Sequence, residues 1–219
     1  MTTNQKENRM TVEILHCTPI EILDKSLVKC WGSECKSGDD MLKRIDRIIN
    51  KNKHGSIAEH CTVSFDIRGV SRALLQELAR HRVQSLTVAS TRYRLGELKL
   101  EKQFLNEDSE TYEETYLRAS KYLVWTHNAD VDYTSIKQLE LLRQTLLSGV
   151  SNDIAKYNLC EAYKVDLVST WNIRSLMNLF ELRTDKSALW EFRDLANAMF
   201  NVLPDEYKFL LKDYVKVVE

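Results

Sequence analysis

Residues 67–94 hold the densest reactive chemistry in the chain. Arg68, Arg72, Arg80, Arg82, Arg92 and Arg94 fall here, with no lysine and one acid, Glu77. A guanidinium is a planar fork that donates two parallel hydrogen bonds to phosphate or carboxylate. Gln76 and Arg80 sit one helical turn apart and point the same way. Beyond Arg80-His81-Arg82 the chain becomes rich in hydroxyls: Ser85, Thr87, Ser90 and Thr91. Three chemistries fit the stretch RHRVQSLTVAS, residues 80–90. Cations at a helix C-terminus complement the macrodipole by about 0.3–1 kcal/mol. Cations on a surface hold nucleic-acid phosphates. Cations around a hollow cradle a small anionic ligand. The helix end accounts for one or two charges, but not for Arg92 and Arg94 beyond the loop.

Two further segments carry polar chemistry. HGSIAEH, residues 54–60, offers two histidines and a glutamate. The spacing is not HExxH, so the histidines do not share a helix face as in zincins. Ser56-Ile57-Ala58-Glu59 fits the capping-box pattern instead. That makes a structured turn able to deliver Ser56 and Glu59 to a neighbouring site. WNIRSLMNLFELR, residues 171–183, sets Asn172, Arg174, Asn178 and Arg183 around an apolar stripe of Leu176, Leu179 and Phe180. Amides and guanidiniums on an otherwise apolar helix suit a planar, polar ligand; the plainer reading is a solvated helix face. No GxSxG elbow and no GxGxxG or P-loop occurs.

The elements that must position these residues follow from periodicity. Residues 11–17 read as a strand. Thr18-Pro19 then reads as N-cap and first helical residue, with a helix to about Cys30, a loop over 32–39 and a second helix over about 40–52. In 61–68, Cys61, Val63, Phe65 and Ile67 alternate with Thr62, Ser64, Asp66 and Arg68, the pattern of a half-buried strand. Gly69 is expected to break it. Val70, Leu74, Leu75 and Leu78 then repeat at helical spacing, and that helix is expected to end near His81. Tyr112, Tyr116, Ala119 and Leu123 form a further helical stripe. So do Ile136, Leu139, Leu142 and Leu146, and Leu189, Phe192, Ala196, Met199 and Leu203. Pro204 opens a short final helix.

Bulk composition narrows the classes. Lysine plus arginine total 31 against 32 acids, so the formal net charge is −1. A general polyanion binder is usually far more basic, so an anion site here is local and no nucleic-acid partner is expected. No stretch reaches the ~18 consecutive apolar residues of a membrane span, so no membrane partner is expected. The five cysteines form no CxxC pair, which fits reduced thiols in a cytoplasmic chain. Residues 1–10, MTTNQKENRM, are expected to be a flexible tail. Residues 11–219 are long enough for one domain with a sizeable core.

Together these segments resemble the flavin-dependent thymidylate synthases, the ThyX family. The signature is RHR, seven residues, then Ser; here it is Arg80-His81-Arg82, VQSLTVA, Ser90, followed by Arg92-Tyr93. The upstream H-x-S-x-x-E-H turn and the downstream N-x-R-S-L-x-N-x-x-x-L-R segment, Asn172 to Arg183, match in the same order. The resemblance covers roughly residues 40–200. It implies an α/β fold, a single domain with a central, mostly antiparallel sheet flanked by helices. It implies formation of dTMP from dUMP, with methylenetetrahydrofolate as carbon donor, FAD as carrier of reducing equivalents and NADPH as reductant. It implies a homotetramer with active sites at subunit interfaces. Ser56, Arg80, His81, Arg82, Asn172, Arg174 and Asn178 match FAD-contacting positions, as does Val88. Gln76, Arg80, Ser90, Thr91, Arg92, Lys156 and Arg183 match dUMP-contacting positions. Arg183 matches the residue credited with activating the uracil, a fixed cation beside a ring that gains negative charge. The family uses no protein cysteine against the uracil, in keeping with a chain that shows no poised thiol.

The chain departs from the family pattern at four places. Thr87-Val88 stands where an Asn-Glu pair is usual, which removes a carboxylate. Lys156 replaces a common arginine and loses the bidentate fork. Thr91 replaces a frequent glycine and Ser187 a frequent histidine. Two other functions remain open from the residues. One is a nucleotide- or RNA-binding module without turnover. The other keeps the flavin but acts on a different pyrimidine.

Overall fold

A computed structural model describes residues 10–106, 108 and 110–216. Along the chain run β1 (Thr11–Cys17), α1 (Glu21–Trp31), α2 (Gly38–Asp46), β2 (Thr62–Ser71), α3 (Arg72–Leu78), β3 (Ser85–Val88) and α4 (Thr91–Arg94). They continue with α5 (Tyr112–Ala119), α6 (Ala129–Leu147), α7 (Asn152–Ala155), β4 (Lys164–Asn172), α8 (Ile173–Arg183), α9 (Trp190–Val202) and α10 (Asp205–Leu211). The protein is α/β, with one four-stranded antiparallel sheet. Two compact units share these elements. A sheet unit comprises residues 11–67, 77–87 and 167–219; a helical unit comprises 68–76 and 88–166. Of the expected tail, residues 1–9 lie outside the described residues.

In the sheet unit the strands pair in the order β1-β2-β4-β3. The alternation read from the sequence sets the register of β2. Cys61, Val63, Phe65 and Ile67 are all fully buried, on one side of the pleat. In β4 the same period buries Leu167, Ser169 and Trp171. Ser169 belongs there because its hydroxyl accepts the Trp171 indole N–H at 2.9 Å, so neither polar atom is stranded. On the other face Ser64 and Thr170 join their hydroxyls at 2.8 Å. The apolar stripes of α8 and α9 close this core through Leu176, Leu179, Phe180, Phe192, Ala196 and Met199. Each of these leucine, phenylalanine and methionine side chains contributes about 1.5–3 kcal/mol when buried. Met41, Ile45, Ile48 and Ile49 are buried as expected, and α2 runs on into a π-helical turn, Arg47–Lys51.

Three boundaries differ from the sequence expectation, each for a local reason. Helix α1 starts at Glu21 with Ile20 as its N-cap, not at Pro19 after a Thr18 cap. The Thr18 hydroxyl instead accepts the Thr62 N–H at 3.1 Å and ties β1 to the start of β2. Gly69 does not end β2, which continues to Ser71. It adopts φ +73°, open to glycine, and donates its N–H to Asp166 Oδ1 at 2.9 Å. Helix α3 is short and ends at Leu78, because Gln84 folds back and donates to the carbonyls of Leu78 (2.7 Å) and His81 (2.9 Å). The RHR residues therefore sit in a turn beyond the helix rather than in its last turn.

The helical unit buries Ile136, Leu139, Leu142 and Leu146 of α6 against Ala119, Leu123, Leu95, Leu98 and Phe104. Thr111 and Glu114 form a capping box at the start of α5. Tyr112 was expected in the stripe of α5 but is 49% exposed, at the first residue of the helix. Tyr116 stacks on Trp125 with ring centroids 3.9 Å apart.

The Gly69 conformation gives a test of the register. Gly69→Ala forces an L side chain into the left-handed region and is expected to cost about 1–2 kcal/mol. Urea unfolding checks this; an unchanged midpoint would contradict the assigned backbone.

Candidate functional site

All three polar segments of the sheet unit converge on one cavity of about 880 Å³. Its wall includes Glu59 from the 54–60 turn, Glu77, Arg80, His81 and Arg82, and Asn172, Arg174, Asn178 and Arg183 of the β4–α8 junction and α8. Trp171, Val83 and Leu182 add apolar surface. Four arginines face two glutamates, so the wall is net cationic.

Each polar side chain has a local reason for its place. Asn172 is the N-cap of α8, and its Oδ1 accepts the Ser175 N–H at 2.8 Å. Arg174, on the first turn of α8, donates to Glu59 Oε1 at 2.6 Å. It also lies so close over Gly55 that a Cβ there would come within 3.1 Å of Arg174 Nε. The 54–60 turn thus supplies both an anion and the clearance for this arginine. The capping box read at Ser56 does not form: Ser56 precedes a 3-10 turn, Ile57–Glu59, without a side-chain cap bond. Ser56 itself is exposed and is not on the cavity wall, whereas Glu59 is. Arg174 and Asn178 share one exposed face of α8 at i, i+4.

Arg183, the last residue of α8, is the most constrained cation of the site. Its Nε donates to His81 Nε2 at 2.9 Å, its Nη1 to Glu77 Oε2 at 2.9 Å, and its Nη2 to the Glu77 carbonyl at 3.4 Å. Its guanidinium carbon lies 4.6 Å from the centroid of Phe192. Only 16% of the side chain is exposed. His81 is wedged edge-on against Trp171 (5.7 Å) and Phe192 (5.8 Å). By accepting from Arg183 it must be neutral, with its proton on Nδ1. Burial and then the adjacent Arg183 charge push the His81 pKa down to about 4. Glu77 also reaches Arg80 at 3.5 Å, a pair whose arginine is three-quarters exposed.

The helical unit holds the other predicted positions. Gln76 donates its amide to both oxygens of Glu161 at 2.8 Å. Val88 is half-buried at the end of β3. Ser90 and Thr91 lead into α4, and the Ser90 carbonyl accepts from Tyr93 and Arg94. Arg92 Nη1 donates to Asp153 at 3.1 Å, and its carbonyl accepts from Asn152 at 2.8 Å. Lys156 is exposed at the start of a 3-10 turn. The acids Glu161 and Asp153 were not anticipated: each is far in sequence from its partner, and no local pattern announces either pairing. Phe192 reads from the sequence as core, and both it and Trp171 are buried, but their rings also seat His81.

The fold and the cavity define an α/β protein with a net-cationic pocket lined by arginines and carboxamides. The chain belongs to the family described as thymidylate synthase complementing protein, whose family model matches residues 5–207. It is 48% identical over 204 residues to a flavin-dependent thymidylate synthase of Wolinella succinogenes, covering 92% of this chain and 97% of that one. It is 41% identical over 211 residues to a flavin-dependent thymidylate synthase of Helicobacter pylori, covering 94% of this chain and all of that one. A crystal structure of thymidylate synthase X from Helicobacter pylori with FAD and dUMP superposes with a TM-score of 0.90 at 40% identity, covering 95% of this chain and 100% of that one.

The His81 environment predicts a pH dependence. Its folded pKa, about 4, lies below its usual 6.5. Between those values the unfolded chain binds a proton that the folded chain refuses, so stability falls as pH drops through this window and rises towards neutrality. NMR of the His81 ring should show titration near pH 4, and thermal melts of His81→Asn should depend less on pH over the same range. Titration of His81 near its usual value would refute the buried, Arg183-bonded state.

Proposed function

We propose that this chain is a flavin-dependent thymidylate synthase, making dTMP from dUMP with methylenetetrahydrofolate as carbon donor and NADPH as the reductant of FAD. The observation that carries the reading is the single cavity. Six of the residues matched to FAD contacts, Arg80, His81, Arg82, Asn172, Arg174 and Asn178, come from separate segments and line it together. Their chemistry fits the cofactor: guanidiniums suit a pyrophosphate, and carboxamides suit the polar edge of a flat ring. Bound FAD supplies the reducing equivalents. Because Asn172 Oδ1 is committed to Ser175, the residue meets the cofactor through its Nδ2 donors.

Arg183 is proposed as the catalytic cation. It stands preorganised, and a fixed positive charge costs no reorganisation when negative charge develops on the pyrimidine. Gln76, Arg80, Ser90, Thr91, Arg92 and Lys156 are proposed to hold dUMP with it. Glu161 takes both Gln76 amide contacts, so Gln76 offers its carbonyl oxygen to a ligand donor. Val88 and Ser56 stay in the proposed cofactor set on the strength of the family match alone. We read residues 11–219 as one catalytic domain, because the chain passes between the two units at 67/68, 76/77, 87/88 and 166/167. A homotetramer with active sites at subunit interfaces and a cytoplasmic location complete the reading.

The RNA-binding alternative needs cations ready for a backbone. With 31 basic against 32 acidic side chains the composition does not supply a broad cationic surface, which favours a local site for one ligand.

Purified protein is expected to be yellow, to bleach with NADPH and to form dTMP from dUMP. A colourless protein that FAD cannot reconstitute would overturn the proposal. Arg183→Ala is expected to keep its circular dichroism and flavin while losing about 10²–10³-fold in turnover, the usual cost of a missing charge-stabilising donor.

A further inference from the structure

We infer that Glu77 is a positioning residue for the reaction, acting through Arg183. The inference rests on the role proposed above for Arg183. An arginine at the end of a helix has long, free torsions, and its guanidinium is useful as a preorganised charge only when something fixes its plane. Here two groups define that plane. His81 takes the Nε–H, and Glu77 takes Nη1 through its carboxylate and Nη2 through its main-chain carbonyl. The Phe192 ring covers one face. With three of the five guanidinium N–H groups held, two remain for a ligand.

Glu77 is the only acid in the arginine-rich stretch 67–94. It is the next-to-last residue of α3, just before the turn that carries Arg80-His81-Arg82, and it is partly buried against Arg183 rather than spread into solvent. Its charge-assisted bond is also what keeps a cation stable beside the neutral His81, with which Arg183 shares no opposite charge. Without the carboxylate, Arg183 keeps the bond to His81 and only a long contact to the main-chain carbonyl of residue 77, so its guanidinium is less firmly held. The guanidinium then samples orientations that miss the pyrimidine.

The test compares Glu77→Ala, Glu77→Gln and Arg183→Ala in the full-length flavin-loaded protein. Glutamine keeps an acceptor oxygen for Arg183 Nη1 and is expected to recover turnover that alanine loses. Glu77→Ala is expected to lower kcat by about tenfold or more, as misplacement of a catalytic group does, with the KM for dUMP changed less than kcat. A structural reading is separated by NMR of the Arg183 Nη–H groups, since Nη1 is the nitrogen that the carboxylate holds. Their signals should be resolved in the native protein and in Glu77→Gln, and averaged by rotation in Glu77→Ala, with the circular dichroism of all three unchanged. Native turnover by Glu77→Ala, with Arg183→Ala impaired, would overturn the inference. So would a kcat loss that Glu77→Gln fails to recover. Native turnover by Arg183→Ala would instead remove the role of Arg183 itself.

Discussion

Gathering arginines in one fold costs electrostatic repulsion, and acids that meet them in space offset it. This constraint organises both units. Glu77 serves Arg183 and Arg80, Glu59 serves Arg174, Asp153 serves Arg92, and Asp166 serves Arg94. The near balance of 31 basic and 32 acidic side chains is therefore arranged locally, pair by pair, at the residues that matter for ligand chemistry. The same pairing explains how a chain with a net charge of −1 presents a cationic wall.

Backbone detail converts that balance into geometry. Asn172 ends β4 and caps α8, so the strand-to-helix junction is set by one side chain, and Arg174, Asn178 and Arg183 follow along the helix. Gly55 leaves room for the Arg174 guanidinium, which a Cβ would crowd. Gln84 draws the carbonyls of Leu78 and His81 together, so α3 stops early and His81 turns inward to Trp171 and Phe192. Gly55 and Gln84 are not on the cavity wall, yet the site's cations depend on both of them as well as on the Asn172 cap.

The parts legible in the sequence were those governed by period or by motif. The alternation of Cys61 to Ile67 set the buried face of β2, and the α6 stripe set the helical core. The RHR, HGSIAEH and Asn172–Arg183 segments could be matched as motifs, and they meet at one cavity. The misses were competitions between local propensity and tertiary bonds. Thr18 is a good N-cap, but its hydroxyl finds Thr62 across the sheet. Gly69 normally breaks a strand, but its positive φ lets β2 continue and reach Asp166. Glu161 and Asp153 gave no signal, because an acid's partner is fixed only by the fold. Ser187, where the family has a frequent histidine, is on the cavity wall and bonds its hydroxyl to Asp185 at 2.6 Å. That shows how a small residue is accommodated there, while the effect of Val88 has no structural explanation.

The arginines divide physically into two kinds. Arg80, Arg92 and Arg174 are about half exposed or more, and each makes one ion pair with an acid that is itself partly or largely solvated. Water and salt screen such pairs, so an incoming phosphate can take the acid's place at little cost. Arg183 differs in every respect that controls exchange. It is largely buried, holds a carboxylate, a carbonyl and an imidazole, and packs on an aromatic face. The carboxylate balances its charge while the imidazole and the carbonyl help fix its direction, so this cation stays in place while ligands come and go. The proposed function calls for both behaviours: exchangeable cations to admit and release phosphates, and one fixed charge whose direction is set before the ligand arrives. The early end of α3, which brings Glu77 and His81 to the same guanidinium, is what separates the second kind from the first.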